Sequence, residues 1–137
     1  MKKMRSEGLV TIKEIEGMDI THDSFLKGEM ARRREPLDYL DDVAKLAKYI
    51  GGEPEEIKPG DWAIGKEAFP GVMIHFVFQQ GDEEMPSNLR VLFSIDKAKK
   101  VPGEDLVELA LAYANHMLRY IRDTNPDKEL PRICYQV

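Results

Sequence analysis

Apolar side chains recur at helical spacing in two long segments of the chain. The first begins near Pro36 and ends at Gly51-Gly52, with apolar positions at Leu37, Leu40, Val43, Ala47 and Ile50. A first helical turn tolerates proline and glycine commonly ends a helix, so this pattern predicts a helix near residues 36–50. The second segment, residues 103–122, is apolar over most of its circumference. It predicts a long helix that other elements largely cover.

Three extended runs lie between these two helices: residues 61–66, 72–80 and 88–96. Short connections join them, and short connections favour antiparallel neighbours. Residues 53–60 contain Pro54, Pro59 and Gly60 and are interpreted as a turn-rich connector. The predicted fold class is therefore α+β, an antiparallel β-meander of three to five strands with the long C-terminal helix packed on one face.

Weaker patterns predict three further elements. Residues 9–15 alternate loosely between Gly8 and Gly17, which indicates a short edge strand. Thr21 to Met30 has apolar residues on one helical face but contains Gly28, so a short or irregular helix is expected. Ile133, Tyr135 and Val137 alternate at the C-terminus and predict another edge strand.

Pairing the last two strands about a symmetric Gly81 to Ser87 loop divides the sheet into two faces. The apolar face pairs Ile74 with Ile95, Phe76 with Phe93, and Phe78 with Val91. The opposite face, called the mixed face here, pairs His75 with Ser94, Met73 with Asp96, Val77 with Leu92, and Gln79 with Arg90.

Composition narrows the class of protein. The 137 residues are 42% hydrophobic and 33% charged, which suits one domain over residues 1–137. The net charge of -5, with both signs interleaved, argues against a nucleic-acid partner. No apolar stretch resembles a secretion signal or a membrane span, and Cys134 is the single cysteine, so no internal disulfide forms. We expect a cytoplasmic location and no membrane contact.

Candidate site residues concentrate on the mixed face: His75, Arg90, Ser94 and Asp96. One interpretation is a solvated sheet face. Another is the floor of a pocket roofed by the 36–50 helix or a partner chain, where His75 and Arg90 receive a small polar or anionic ligand. A third interpretation is a nucleophilic triad, because serine, histidine and aspartate all occur on this face, although the sequence has no Gly-x-Ser-x-Gly turn.

Other chemistry-bearing groups are scattered. Glu84 belongs to the acidic loop Gly81-Asp82-Glu83-Glu84-Met85-Pro86, which is typical of a charged hairpin tip and could also supply an acid or base. The three histidines are far apart in sequence and one cysteine cannot build a structural zinc site. We expect no metal and no bound cofactor.

Several short motifs are similar to one known family. They are Gly60-Asp61, Phe69-Pro70-Gly71-Val72, the acidic loop at 81–86, Leu92-Phe93 and Val101-Pro102-Gly103-Glu104-Asp105-Leu106. From Gly60 to about Ile121 the chain resembles domain of unknown function 3786, a family found mainly in anaerobic bacteria and archaea.

The resemblance implies an accessory role in corrinoid or one-carbon metabolism, because some relatives resemble fusions to an iron-sulfur domain like that of corrinoid methyl carriers. The chain has neither the cysteines nor an Asp-x-His-x-x-Gly motif. Any such role would therefore be exercised through a partner.

Three functions follow as hypotheses. The first is a small binding or accessory module. The second is a small enzyme with Glu84, His75 or Asp96 as acid and base on the polar sheet face. The third is a homodimer whose mixed faces meet through Val77, Leu92 and Met73.

Overall fold

A computed structural model describes residues 3–4, 8–17, 20–96 and 100–137. Within these ranges five strands form one sheet: β1 (Lys3–Met4), β2 (Glu53–Glu56), β3 (Trp62–Phe69), β4 (Val72–Gln79) and β5 (Asn88–Ile95). The helices are α1 (Ile12–Glu16), α2 (Thr21–Arg33), α3 (Val43–Ile50) and α4 (Gly103–Thr124). Two 3₁₀ helices, Glu35–Tyr39 and Arg132–Tyr135, lie between α2 and α3 and after α4.

The strands follow the order β1-β2-β3-β4-β5 across the sheet. Each neighbouring pair from β2 to β5 is antiparallel, and β1 pairs in parallel with β2. The α+β class, the antiparallel meander and the long C-terminal helix are confirmed.

The pairing of β4 with β5 differs from the prediction by two residues. Ile74 lies opposite Phe93, Phe76 opposite Val91, and His75 opposite Leu92. Asp82 explains the difference, since its side chain accepts the backbone N–H groups of Glu84 and Met85, each at 2.8 Å. This turn sets the axis of the hairpin, and a shift of two leaves every side chain on its predicted face.

The predicted edge strand over residues 9–15 is wrong. Val10 makes one isolated bridge to Phe93, and α1 begins two residues later. Thr11 and Glu14 form a capping box there, in which each side chain accepts a hydrogen bond from the other residue's backbone N–H. The helix expected from Thr21 is confirmed and is longer than predicted, continuing through Gly28 to Arg33.

The helix near residues 36–50 is present in its second half alone. Pro36 belongs to the first 3₁₀ helix, and α3 begins after Asp42, whose side chain accepts the N–H of Ala44 at 2.8 Å. Gly51 ends α3 in the left-handed region, with φ of 78°. The connector at 53–60 contains the unpredicted strand β2, and the predicted C-terminal strand is wrong because residues 132–135 form a 3₁₀ helix.

The core lies between the apolar face of the sheet and the helices. Ile64, Ile74, Phe76 and Phe93 are fully buried there, as are Leu106, Met117 and Ile121 of α4. The mixed face carries a smaller apolar cluster of Ile57, Ala63 and Val77, against which Leu9 and Leu92 pack. Within the described residues, none of the helices has the length and apolar character needed to cross a membrane.

Candidate functional site

Three polar side chains form a hydrogen-bonded row on the mixed face. Nδ1 of His75 lies 2.6 Å from Oε1 of Glu55, and Nε2 of His75 lies 2.7 Å from Oγ of Ser94. In the tautomer that carries its proton on Nδ1, His75 donates to Oε1 of Glu55 and accepts a hydrogen bond from the Ser94 hydroxyl at Nε2. Glu55, His75 and Ser94 are called the polar row.

Gly65 makes the polar row geometrically possible. Glu55 stands on β2 and His75 on β4, and Gly65 of β3 is paired directly with His75 between them. A Cβ added at Gly65 would overlap the carboxylate of Glu55. The glycine therefore lets the Glu55 side chain cross β3 to the imidazole ring, since no other side chain leaves that space open.

The polar row runs from the interior toward solvent. His75 is 0% exposed and Glu55 2%, whereas Ser94 is half-buried. Met73, opposite Ser94, is also half-buried, and Asp96 is exposed. The Ser94 hydroxyl therefore lies where the covered part of the mixed face meets the open part.

The predicted site residues separate into two groups. His75 and Ser94 are in contact, although their strands pair them diagonally and not directly. Arg90 donates from Nη2 to the carbonyl of Pro59 at 2.6 Å, and burial lowers the pKa of its guanidinium. Asp96 and Glu84 are exposed, and the backbone of Glu84 is bound to Asp82 at the hairpin tip. Val77, expected at the contact between the mixed faces of a dimer, is only 1% exposed because it is buried within the single chain.

Glu55 is the functional candidate that sequence reasoning missed. The segment Glu53-Pro54-Glu55-Glu56 has no alternation of apolar and polar residues, so nothing in it predicts a strand. The available signal was Gly65, because a glycine inside a strand often marks the close approach of another group.

A second feature is a groove between α2 and the free edge of β5, called the edge groove. Its volume is about 360 Å³, and its lining includes Leu26 and Met30 of α2, Leu89 and Val91 of β5, and Thr11. Such a volume is at the lower end of the roughly 300–1,000 Å³ range of ligand pockets.

Backbone groups of β5 face the edge groove. Phe93 exchanges two hydrogen bonds of 2.8 Å with Val10, so its N–H and C=O point away from β4. Because this direction alternates along an antiparallel strand, the N–H and C=O groups of Leu89 and Val91 point the same way. None of the described residues pairs with them.

Comparison with known protein families identifies the family of this chain. The model of domain of unknown function 3786 (DUF3786) matches residues 3–115, which is most of the chain. The chain belongs to the DUF3786 family. No curated protein and no solved structure matches it.

The DUF3786 match extends well before Gly60, where the sequence resemblance begins. It includes all five strands, the whole polar row and both walls of the edge groove, and it ends within α4. In the described part of this DUF3786 chain, no group of three or more His, Cys, Asp or Glu side chains is arranged to hold a metal ion.

Proposed function

We propose that this DUF3786 chain is a binding or accessory module that holds an extended segment of a partner protein along β5. The observation that carries the proposal is the open edge of β5 at Leu89 and Val91, beside an apolar groove. Unpaired strand edges are ready templates for another strand, and peptide recognition commonly uses them.

Val10 supports this mode of binding from within the chain. Its N–H and C=O both bond Phe93, in the geometry that an added antiparallel strand would repeat at Val91 and Leu89. The chain turns into α1 just after Val10, and none of the residues that the structure describes pairs with the edge at Leu89 and Val91. A partner segment would thus continue an interaction that the protein already makes.

The walls of the edge groove indicate the side chains of the partner. Leu26 and Met30 of α2 line the base of the groove with 5% and 1% of their surface exposed, and the charged side chains of Asp23, Lys27 and Arg90 also line it. Side chains of a strand alternate between its faces, so every second residue of the segment would lie toward α2. The proposal therefore commits to an extended segment with apolar residues at alternate positions.

A displayed library of random peptides, selected on the folded protein, tests the proposal. We expect the selected peptides to share alternating apolar residues and to slow hydrogen exchange at the amides of Leu89 and Val91. Val91→Pro should abolish binding, because proline removes an edge N–H without removing a bond to β4. Gln79→Ala, at an exposed residue of β4 away from this edge, should bind as the wild type does.

Two results would contradict the proposal. One is selection of peptides whose binding leaves both edge amides unchanged and tolerates Val91→Pro. The other is a stable dimer, seen by light scattering, that protects these amides, since a second copy of the chain would then occupy the edge.

The family resemblance implies that the partner belongs to corrinoid or one-carbon metabolism, and we propose such a protein as the first to test. Calorimetric titration with a purified corrinoid methyl carrier protein should give heat with the wild type and none with Val91→Pro. Equal heats from both proteins, or none from either, would remove this candidate and leave the peptide selection to identify another.

A second candidate function, that of a small enzyme, is favoured by the contact between Glu55 and His75. A carboxylate that orients a histidine ring is the arrangement that a general base uses. Glu55 takes the place in this arrangement that sequence reasoning offered to Glu84 and Asp96.

A further inference from the structure

We propose that Ser94 is a nucleophile, activated by His75 and Glu55, that accepts an acyl group from small esters with good leaving groups. The proposal concerns the polar row and is independent of the edge groove. Its basis is a continuous chain of two short hydrogen bonds, 2.6 Å from Glu55 to His75 and 2.7 Å from His75 to Ser94.

The hydrogen bonds use the atoms that nucleophilic activation requires. A base must lie within about 2.6–3.2 Å of the hydroxyl, and a third group must hold the opposite ring nitrogen of the base. Nε2 of His75 meets the Ser94 hydroxyl, and Nδ1 meets Glu55. This order of serine, histidine and carboxylate recurs on unrelated folds, where geometry identifies it.

The stability of the folded state does not account well for a buried polar row of this kind. Removing a carboxylate and an imidazole from water is costly, and packed apolar residues of similar volume often stabilise a protein as much or more. His75 is 0% exposed and Glu55 2%, so both groups are desolvated. A purely structural network would also have no need to end at a half-buried serine.

Substrate would approach Ser94 from the open end of the mixed face. Glu67 and Asp96 are exposed there, and half-buried Met73 lies directly opposite Ser94. Small acyl groups suit a site with little enclosure, so small esters are the expected class.

The backbone N–H that follows the nucleophile points away from its base. Alternation along β5 directs the N–H of Ile95 toward the same free edge as that of Phe93, whereas Ser94 Oγ meets His75 on β4. In α/β-hydrolases the N–H of the residue after the serine is one of the two donors that stabilise the oxyanion. Because this donor is directed away from His75 here, we expect slow turnover.

The reaction would proceed in two balanced steps. The Ser94 Oγ–H proton moves to Nε2 of His75 as Oγ bonds the acyl carbon. The bond from that carbon to the leaving oxygen then breaks, and Nε2 returns the proton to the leaving alcohol or phenol. Water repeats the sequence on the acyl-serine, releasing the carboxylic acid and restoring Ser94.

A fluorophosphonate probe with a neutral tail tests the nucleophile directly on the full chain. We expect one phosphonyl adduct per molecule, located at Ser94 by peptide mass spectrometry, and no adduct in Ser94→Ala. Ser87→Ala should label like the wild type, because Ser87 is a buried serine outside the polar row. p-Nitrophenyl acetate should give a burst of about one equivalent of nitrophenol, followed by slow release.

Glu55→Gln separates activation from simple exposure of the hydroxyl. It keeps the size of the side chain but not its charge, and we expect labelling to slow roughly 10²-fold or more. The wild-type labelling rate should rise with pH and then reach a plateau, which is the profile of a reaction assisted by a general base. Circular dichroism should confirm that each variant is folded.

The proposal is overturned if the folded wild type carries no adduct at Ser94. It is equally overturned if labelling continues to rise tenfold with each pH unit and shows no plateau. That second measurement needs no variant, so it decides the question even if Glu55→Gln fails to fold.

Discussion

Gly65 lies between Glu55 and His75, and the contact between these two side chains depends on Gly65 having no side chain of its own. Glu55 reaches His75 across β3 only because the space above Gly65 is open. Both partners are almost fully buried, so losing their contact would leave polar groups without compensation. At the scale of single residues, this glycine determines whether the polar row exists.

Gly65→Ala should destabilise the protein by about 1–3 kcal/mol, because the new methyl group would displace the Glu55 carboxylate. Chemical denaturation monitored by circular dichroism measures this loss. Gly28→Ala is the matched control: nothing lies within 4 Å of its added Cβ, and it stands inside α2. That control should stabilise the protein by about 0.5–1 kcal/mol. Equal effects of the two changes would contradict the close approach at Gly65.

Tyr120 is predicted to make stability sensitive to alkaline pH. Burial, together with the hydrogen bond to Asp41 at 2.9 Å, raises the pKa of Tyr120 from 10.0 to about 12. A raised pKa means that the folded state holds the proton more tightly. The contribution of protonated Tyr120 to the free energy of unfolding is therefore fully present below pH 10 and is lost as pH rises from 10 to about 12.

Tyr120→Phe should cost about 1–2 kcal/mol at neutral pH through loss of this hydrogen bond. It should also flatten the decline in stability above pH 10, as followed by denaturation at several pH values. Tyr135→Phe, at an exposed tyrosine, provides the comparison. A decline equally steep in wild type and Tyr120→Phe would exclude Tyr120 as its source.

Among the elements, β5 shows how direction of hydrogen bonding distinguishes neighbouring residues. Arg90 and Leu92 are paired with Val77 and His75 of β4, while the intervening residues direct their N–H groups to the free edge. Protection in the free protein should therefore alternate along the strand.

Hydrogen exchange followed by NMR should show slow amides at Arg90 and Leu92 and fast amides at Leu89 and Val91 in the isolated protein. Phe93, whose N–H is bound to Val10, should be slow and serves as an internal reference on the outward side. Uniform protection along β5 would mean that its edge is already covered in solution.

The start of α3 depends on a single side chain. Asp42 accepts the N–H of Ala44, which is one of the groups that a helix leaves unpaired at its N-terminus. Asp42→Ala should cost about 1 kcal/mol in denaturation, whereas Asp42→Asn, which keeps an acceptor, should remain close to the wild type. A loss of the same size in both variants would point to charge and not to capping.

For the whole molecule, α4 joins the sheet core to the C-terminal residues. Arg122 donates to the carbonyls of Cys134 and Val137, and Cys134 is fully buried behind α4. Burial raises the pKa of the Cys134 thiol, so the reactive thiolate is scarce in the folded state.

Cys134 should therefore report global unfolding. An aromatic disulfide reagent is expected to modify the native protein slowly and the denatured protein at once, with the native rate rising in parallel with the unfolded fraction. Because the chain has one cysteine, the signal needs no further variant. Rapid modification under native conditions would show that the C-terminal residues detach from α4.

Local patterns account for much of the fold. The strands β3 to β5, the helix α4 and the apolar character of Ile74, Phe76 and Phe93 follow from periodicity, which each segment carries by itself. The two faces of the sheet were predicted correctly despite the incorrect register, because a shift of two residues leaves each side chain on the same face. Short polar segments were predicted less well. Residues 9–15 were expected to form a strand from a loose alternation, but the capping box of Thr11 and Glu14 stabilises the helix α1 there.

The sequence by itself determined the α+β class, the main elements and two members of the polar row, His75 and Ser94. Only the tertiary structure decided that Glu55, 20 residues before His75 in sequence, completes the row, and that one edge of β5 stays open beside α2. The physical reason is that periodicity records which face of an element is buried. Contacts between distant strands depend instead on register, on the turn at Asp82 and on the empty space above Gly65.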